Sequence, residues 1–393
     1  MCTRIIALVT ICGLTNSVIA QHQQSNVALL AVGRMSGDSR DLSGLTGTLE
    51  TDTPVDQLGG FSAIDYSGIG NRYFVLSDRG PGDGAASFPC RLHEFDLQID
   101  FKTMSIRPKL CKTILLKNSA GQQLTGSLPA VDSSASPPQS VAFDCEGMRV
   151  LDPKSLVLSD EYGPSVRLFG MDGNQEHAWT LPTEFKLCPQ PNEPAAIGAF
   201  TNRGLEGLAR SVDGTKLVAA MQGPLLQDGA VEGEKCLGLN TRWLVFDRQN
   251  KHAAASKQLV YQLTDESTGV SEILAVDADR YLVIERDSKM GAEAVIKHIY
   301  LADTRGATDA SAVAKLNRSD LPSGIRAISK TLLIDLRDEK FGLGGDATAE
   351  KPEGICWGPE LPDGRRLLIV CVDNDFEADR QSEFYAFAIA LKD

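Results

Sequence analysis

A chain of 393 residues, 42% hydrophobic and 23% charged, can bury a large core, and its 36 Gly and 18 Pro supply many turns. Its formal net charge of −13, with no basic block, speaks against a nucleic-acid partner and disfavours an anionic membrane surface. Length alone would allow two domains, but a closed ring of sheets uses this length as one unit.

Residues 1–20 read as a secretory signal. Arg4 gives the positive start, 5–14 the apolar stretch, and Val18-Ile19-Ala20 a small-residue cleavage site before Gln21. The apolar stretch is too short to span a bilayer, and no later run approaches that length, so membrane insertion is not expected. A secreted or periplasmic monomer follows as the expectation, with residues 21–393 as a single domain. Cleavage would leave seven cysteines. Export favours disulfides, expected between Cys356 and Cys371, Cys90 and Cys111, and Cys188 and Cys236, with Cys145 left over.

After the signal, strand-type runs dominate. Residues 27–32 form a lone strand expected to complete the last sheet beside 384–391, which would close the ring and remove exposed edges. The first unit is predicted over 61–66, 73–77, 91–97 and 104–116, and the second over 147–151, 156–159, 166–171 and 177–181. The third takes 207–210, 216–221, 242–247 and 258–263; the fourth 273–276, 281–284, 296–302 and 331–336; the fifth 354–357 and 366–372 plus the terminal strand. Asp152-Pro153, Asp213-Gly214 and Asp363-Gly364 supply hairpin turns between first and second strands. A sixth unit would have to lie within 118–138 or 36–58, and 305–316 and 375–381 are weak helix candidates. The fold class expected is all-β, a β-propeller of five to six blades closed by the N-terminal strand.

Each unit opens on a short motif: Gly60-Phe61-Ser62-Ala63, Asp144-Cys145-Glu146-Gly147, Gly204-Leu205-Glu206-Gly207, Val270-Ser271-Glu272 and Pro352-Glu353-Gly354. One hairpin later comes an answering cluster: Ser77-Asp78-Arg79-Gly80, Ser159-Asp160-Glu161, Met221-Gln222-Gly223, Glu285-Arg286-Asp287 and Asp373-Asn374-Asp375. A hairpin returns the chain to the face it left, so these carboxylates should gather around one axis, where they require a cation. The candidate ligands are Asp78, Glu146, Asp160, Glu161, Glu206, Glu272, Glu285, Glu353, Asp373 and Asp375. Oxygen donors without a neighbouring histidine suit calcium. Arg79, Arg203 and Arg286 stand beside these acids as candidate phosphate-binding groups, with Lys351 in a similar place, and Glu146 or Glu161 as the general base.

Several chemistries are excluded. There is no Cys-x-x-Cys, Gly-x-Ser-x-Gly elbow, phosphate-binding Gly-Lys-Ser/Thr loop or Arg-His-Gly motif, and the five histidines lie singly.

The runs Gly-Gly-Phe-Ser-Ala-Ile-Asp-Tyr and Tyr-Phe-Val-Leu-Ser-Asp-Arg-Gly within 59–80 are similar to those of the phytase-like family described by esterase-like activity of phytase. So are Asp-Cys-Glu-Gly-Met at 144–148, Ser-Asp-Glu-Tyr-Gly-Pro at 159–164, Asn-Arg-Gly-Leu-Glu-Gly-Leu-Ala at 202–209, Pro-Glu-Gly-Ile at 352–355 and Val-Asp-Asn-Asp-Phe at 372–376. The resemblance covers nearly all of 55–390 and implies an exported propeller that hydrolyses phosphoesters with a metal ion. Met221-Gln222-Gly223 departs from it by lacking an acid. Three readings stay open. The leading one is a calcium-dependent hydrolase of a small phosphorylated or ester substrate. The second is a non-catalytic, calcium-stabilised propeller binding a glycan or peptide, and the third a carboxylic esterase using Ser77 or Ser159.

Overall fold

Nearly all of the regular structure is strand. In a computed structural model the described residues are 26–128, 141–193, 195–233, 235–250 and 254–391. The expected signal segment lies outside them. β1 (Val27–Met35) is followed by β2 (Phe61–Tyr66), β3 (Arg72–Ser77), β4 (Arg91–Asp100) and β5 (Ser105–Leu115). β6 (Cys145–Asp152), β7 (Ser155–Asp160), β8 (Ser165–Gly170) and β9 (Gln175–Trp179) make a four-stranded antiparallel sheet in sequence order. β10 (Leu205–Arg210) and β11 (Lys216–Met221) precede a small hairpin, β12 (Ala230–Glu232) and β13 (Lys235–Leu237). They form the next four-stranded sheet with β14 (Asn240–Asp247) and β15 (Lys257–Gln262). β16 (Gly269–Ala275), β17 (Arg280–Arg286), β18 (Lys297–Asp303) and β19 (Ser329–Asp335) make another, and β20 (Lys351–Trp357), β21 (Arg366–Asp373) and β22 (Ser382–Ile389) end the chain.

β1 pairs antiparallel with β22, from Val27 opposite Ile389 to Met35 opposite Ser382, and touches β5 through one parallel bridge, Val32 to Ser105. One eight-stranded sheet therefore runs β2-β3-β4-β5-β1-β22-β21-β20. The first strands of the units pack in sequence, β2 on β6, β6 on β10, β10 on β16 and β16 on β20, and β20 packs back on β2. Apolar side chains fill the space between neighbouring sheets: Leu156 and Leu158 meet Leu76 and Phe143, whereas Val157, of opposite parity, meets Leu208 and Leu217 on the next sheet. Strands buried on both faces explain why their sequences are near-continuous apolar runs.

Every first hairpin carries a register shift near its start: between Phe61 and Ala63, Cys145 and Met148, Leu205 and Gly207, Val270 and Glu272, and Pro352 and Gly354. These are β-bulges, which turn one side chain out of the ladder. The Glu-Gly signature is thereby explained. The Glu occupies the bulge, and the Gly after it lets the next inner strand approach. A Cβ on Gly147 would stand 2.5 Å from the Glu206 carbonyl oxygen, and one on Gly354 2.7 Å from the Ala63 Cα. Ser159 locks the bulge, accepting from Gly147 N at 2.8 Å and donating to Glu206 O at 2.8 Å. Gly147→Val should lower stability by about 1–3 kcal/mol through overpacking against backbone. An unchanged urea midpoint would show that the inner strands do not meet as described.

Some expectations are corrected. The helix candidates at 305–316 and 375–381 are turns, and only short 3-10 turns occur among the described residues. Residues 36–58 contribute isolated bridges and no sheet, and 129–140 of the other sixth-unit candidate lies outside the described residues. All seven described cysteines are free thiols. Cys356 faces Ile369 and Cys371 faces Gly354, so the hairpin sets them diagonally rather than opposite. Cys111 is exposed, whereas Cys90 is buried and donates its thiol to the Phe143 carbonyl at 3.2 Å. Cys236 is buried in the β12–β13 hairpin and Cys188 lies half-buried in a separate loop. No helix among the described residues is long and apolar enough to cross a membrane.

Candidate metal centre

The starts of the inner strands and the ends of their partners surround a cavity of about 440 Å³. In each unit three positions share one parity, and the second and third of them face the cavity. They are the residue two before the bulge, the bulge residue, and the residue paired across from the first of these. In the first unit they are Gly60, Ser62 and Asp78, in the second Asp144, Glu146 and Glu161, and in the third Gly204, Glu206 and Gln222. The fourth unit places Gly269, Ser271 and Arg286 there, and the fifth Lys351, Glu353 and Asp373. All five bulge residues and all five partner residues line the cavity. Only the second unit is acidic at all three positions.

Asp144, Glu146 and Glu161 are buried, and each offers a carboxylate oxygen within 4.8 Å of those of the other two. Glu146 accepts no hydrogen bond from any described residue, and Glu161 Oε1 is buried without a partner. Burial, then the neighbouring Glu206, Asp144 and Glu161 charges, push the Glu146 carboxyl far above its ordinary range. Burial and Glu206 do the same to Glu161. The Glu206 carboxyl is raised to about 8 by burial and the Glu353 charge. Asp78 is raised by burial and Asp373, and Asp373 reaches about 6 through burial, against the pull of Lys351. Such a cluster must hold protons or a cation. An all-oxygen triad with free acceptor atoms can hold a metal ion and suits a hard divalent one.

Arg79 already serves this cluster. Its Nη1 donates to Asp144 Oδ2 at 2.9 Å, to Asn202 Oδ1 at 2.7 Å and, longer, to Glu161 Oε2 at 3.4 Å, while Nη2 reaches Asp83 Oδ1 at 2.8 Å. Asp83 and Asn202 make these contacts from left-handed backbone, φ 52° and 56°, which Asp and Asn tolerate. Arg79, expected from sequence to grip phosphate, is thus occupied by protein acceptors. Arg203 and Arg286 also line the cavity, and Lys351 pairs with Asp373 and Asp375.

Of the ten acids expected at the site, Asp78, Glu146, Glu161, Glu206, Glu353, Asp373 and Asp375 line the cavity. Asp160, Glu272 and Glu285 do not. Asp160 binds Arg167 at 2.7 Å and Ser165 at 2.9 Å. Glu285 accepts from Tyr261 at 2.9 Å and Lys330 at 2.6 Å. Glu272 sits at the position that is Gly in the second, third and fifth units, accepting from Leu208 N at 2.8 Å and facing Arg149 at 2.9 Å. Each is one residue out of phase with the cavity, and on a strand one residue reverses the face. Asp144 is the acid that sequence reasoning missed. Its signal was the i, i+2 spacing to Glu146, which puts both on one side of an extended chain.

Ser77 does meet a histidine: its Oγ lies 3.1 Å from His93 Nε2. Both are fully buried, the hydroxyl also donates to the Gly59 carbonyl at 2.6 Å, and the other ring nitrogen meets Thr113 rather than an acid. Burial pulls the His93 pKa down to about 3. This pair is packing, without access for an ester. Ser77→Ala should leave any esterase or phosphatase turnover within about twofold of the parent, in line with a substitution outside the site. Loss of turnover would reinstate Ser77 as nucleophile.

The model of the phytase-like family, esterase-like activity of phytase, matches residues 56–376. The chain belongs to that family. No curated protein matches the sequence. Among solved structures, the chain overlaps hydrazine synthase of Kuenenia stuttgartiensis at 11% identity, covering 89% of this chain and 99% of that one, TM-score 0.37. It overlaps a GH43 β-1,3-galactosidase solved with galactodeoxynojirimycin at 8% identity, covering 89% and 95%, TM-score 0.40. The Dos1 propeller gives 9% identity, 94% of each chain and TM-score 0.33. At such scores the fold rests on the chain's own sheets.

Proposed function

We propose that this protein is an exported, calcium-dependent hydrolase of small phosphoesters, built as a five-bladed propeller that β1 closes by pairing with β22. The ring of inner strands, each packed on the next, supports the blade count and the closure. One observation carries the functional reading: the second unit presents three buried carboxylates, of which Glu146 has no hydrogen-bond partner among the described residues and Glu161 has an oxygen without one. Membership of the phytase-like family supports ester chemistry at that site.

In this reading Asp144, Glu146 and Glu161 hold the cation. When bound, it supplies Lewis acidity and lowers the pKa of water. Arg79 fixes the Asp144 and Glu161 carboxylates and offsets part of their charge. With Glu146 and Glu161 committed as ligands, the base role expected of them passes to Glu206. Gln222 Nε2 donates to Glu206 Oε1, which orients the carboxylate and leaves Oε2 to take a proton from the attacking water. The burial of these carboxylates keeps bulk water away and strengthens the interactions among them.

Excess chelator should abolish turnover of an aryl phosphate and lower the melting temperature, with calcium restoring both. Full activity in chelator would reject the proposal. A chelator-sensitive melting temperature with no turnover of any ester would favour the non-catalytic, calcium-stabilised propeller.

A further inference from the structure

The cavity is electrically lopsided. The second unit is wholly acidic at its three positions, whereas the fourth carries Gly269, Ser271 and Arg286. Arg203, from the loop before β10, lies over that neutral wall, and a Cβ on Gly269 would come within 3.3 Å of its Nη1. No described residue accepts a hydrogen bond from Arg203 or pairs with it within salt-bridge distance. Arg286 gives Nη2 to Glu353, and its buried Nε has no acceptor.

The remaining cations lining the cavity are committed. Arg79 serves the acidic cluster, Lys351 pairs with Asp373 and Asp375, and Arg380 meets Glu350 at 2.9 Å and Asp375 at 3.5 Å. Ten carboxylates line the cavity against five cations. Guanidinium groups with open donors, desolvated and next to each other, are the usual receptor for a tetrahedral oxyanion. Two such groups compensate about one phosphate. A polyphosphorylated molecule would place its other phosphates against carboxylates, and like charges in a buried site repel strongly.

Building on the hydrolase reading above, we propose that Arg203 and Arg286 form a subsite for a single oxyanion, and that the substrate is a small ester carrying one phosphate group rather than a polyphosphorylated ring. The selectivity follows from the walls. The acidic side takes the cation, the guanidinium side takes the phosphate, and no second cationic patch is open among the described residues lining the cavity.

The test is calorimetry with orthophosphate and with phytate, each with calcium in excess, on the parent, Arg203→Gln and Arg286→Gln, alongside turnover of an aryl phosphate monoester and phytate. One orthophosphate should bind per chain, and Arg203→Gln should weaken it about 10-fold or more, as for loss of a charged hydrogen-bonding group. Calcium affinity should stay nearly unchanged in Arg203→Gln, and phytate should bind no more tightly than orthophosphate. Phytate binding or turning over better than the monophosphate would overturn the inference, as would phosphate affinity indifferent to both arginines. Phosphate binding that needs Arg203 without turnover of any phosphoester leaves the subsite standing and removes the hydrolase reading. Turnover with unaltered phosphate affinity in both variants does the reverse.

Discussion

Asp144→Asn and Glu161→Gln should each weaken calcium binding by about 100-fold or more and reduce phosphoester turnover at least as steeply. Even changes to groups behind a metal's ligands cost about 10–100-fold, and these two are placed as ligands themselves. The contrast with Glu272→Gln and Glu285→Gln is the informative part. Those glutamates lie at similar points in the repeat, yet Glu272 faces Arg149 and the Leu208 amide, and Glu285 meets Tyr261 and Lys330. Their loss should cost stability, by leaving a buried cation short of its partner, with calcium affinity little changed. Direct calcium titration of the four variants separates the two outcomes. Equal loss of calcium affinity in all four would mean that the acids act as one undivided ring.

The second large effect concerns pH. Glu206 is raised in the folded protein from 4.5 to about 8 by burial and Glu353, and Asp373 from 3.8 to about 6 by burial. An acid held above its unfolded value contributes stability that is complete below the unfolded pKa and lost as pH rises through the folded one. The cation-free protein should therefore lose stability from about pH 4 to about pH 8. A tenfold change in proton affinity is worth about 1.4 kcal/mol, so the loss should amount to a few kcal/mol. Bound as proposed, calcium would stabilise the ionised carboxylates and flatten this slope. Urea midpoints at pH 5 and pH 8, with chelator and with calcium, give the four values needed. A cation-free protein more stable at pH 8 than at pH 5 would refute the crowding of acids around the cavity.

The strand runs and the repeat were legible because they depend on local pattern: apolar stretches, hairpin turns and the Glu-Gly dipeptide. Side-chain direction was harder to read. A β-bulge inserts one residue without any compositional mark, so Glu272 looked equivalent to Glu353, whereas register aligns Ser271 with Glu353 and Glu272 with Gly354. The same parity reversal removed Asp160 and Glu285 from the cavity in favour of Glu161 and Arg286. Asp144 escaped notice because its counterparts in other units are Gly or Lys351, so the repeat gave it no support. Cysteine pairing failed for a related reason. Symmetric spacing about the Asp363-Gly364 turn suggested direct opposition, but the hairpin closes with Trp357 opposite Leu368, which places Cys356 opposite Ile369 and leaves Cys356 and Cys371 diagonal. Cys90 and Cys145 share one apolar cluster from segments far apart in the chain, which leaves no trace in local spacing.

The most direct test of the central claim is anomalous diffraction from crystals soaked in a divalent cation with a usable edge, such as manganese. The predicted result is a single strong peak bounded by carboxylate oxygens of Asp144, Glu146 and Glu161, absent from Glu146→Gln crystals. Ions bound only elsewhere, with Asp144 and Glu161 still paired to Arg79 and no ion at the three carboxylates, would contradict it.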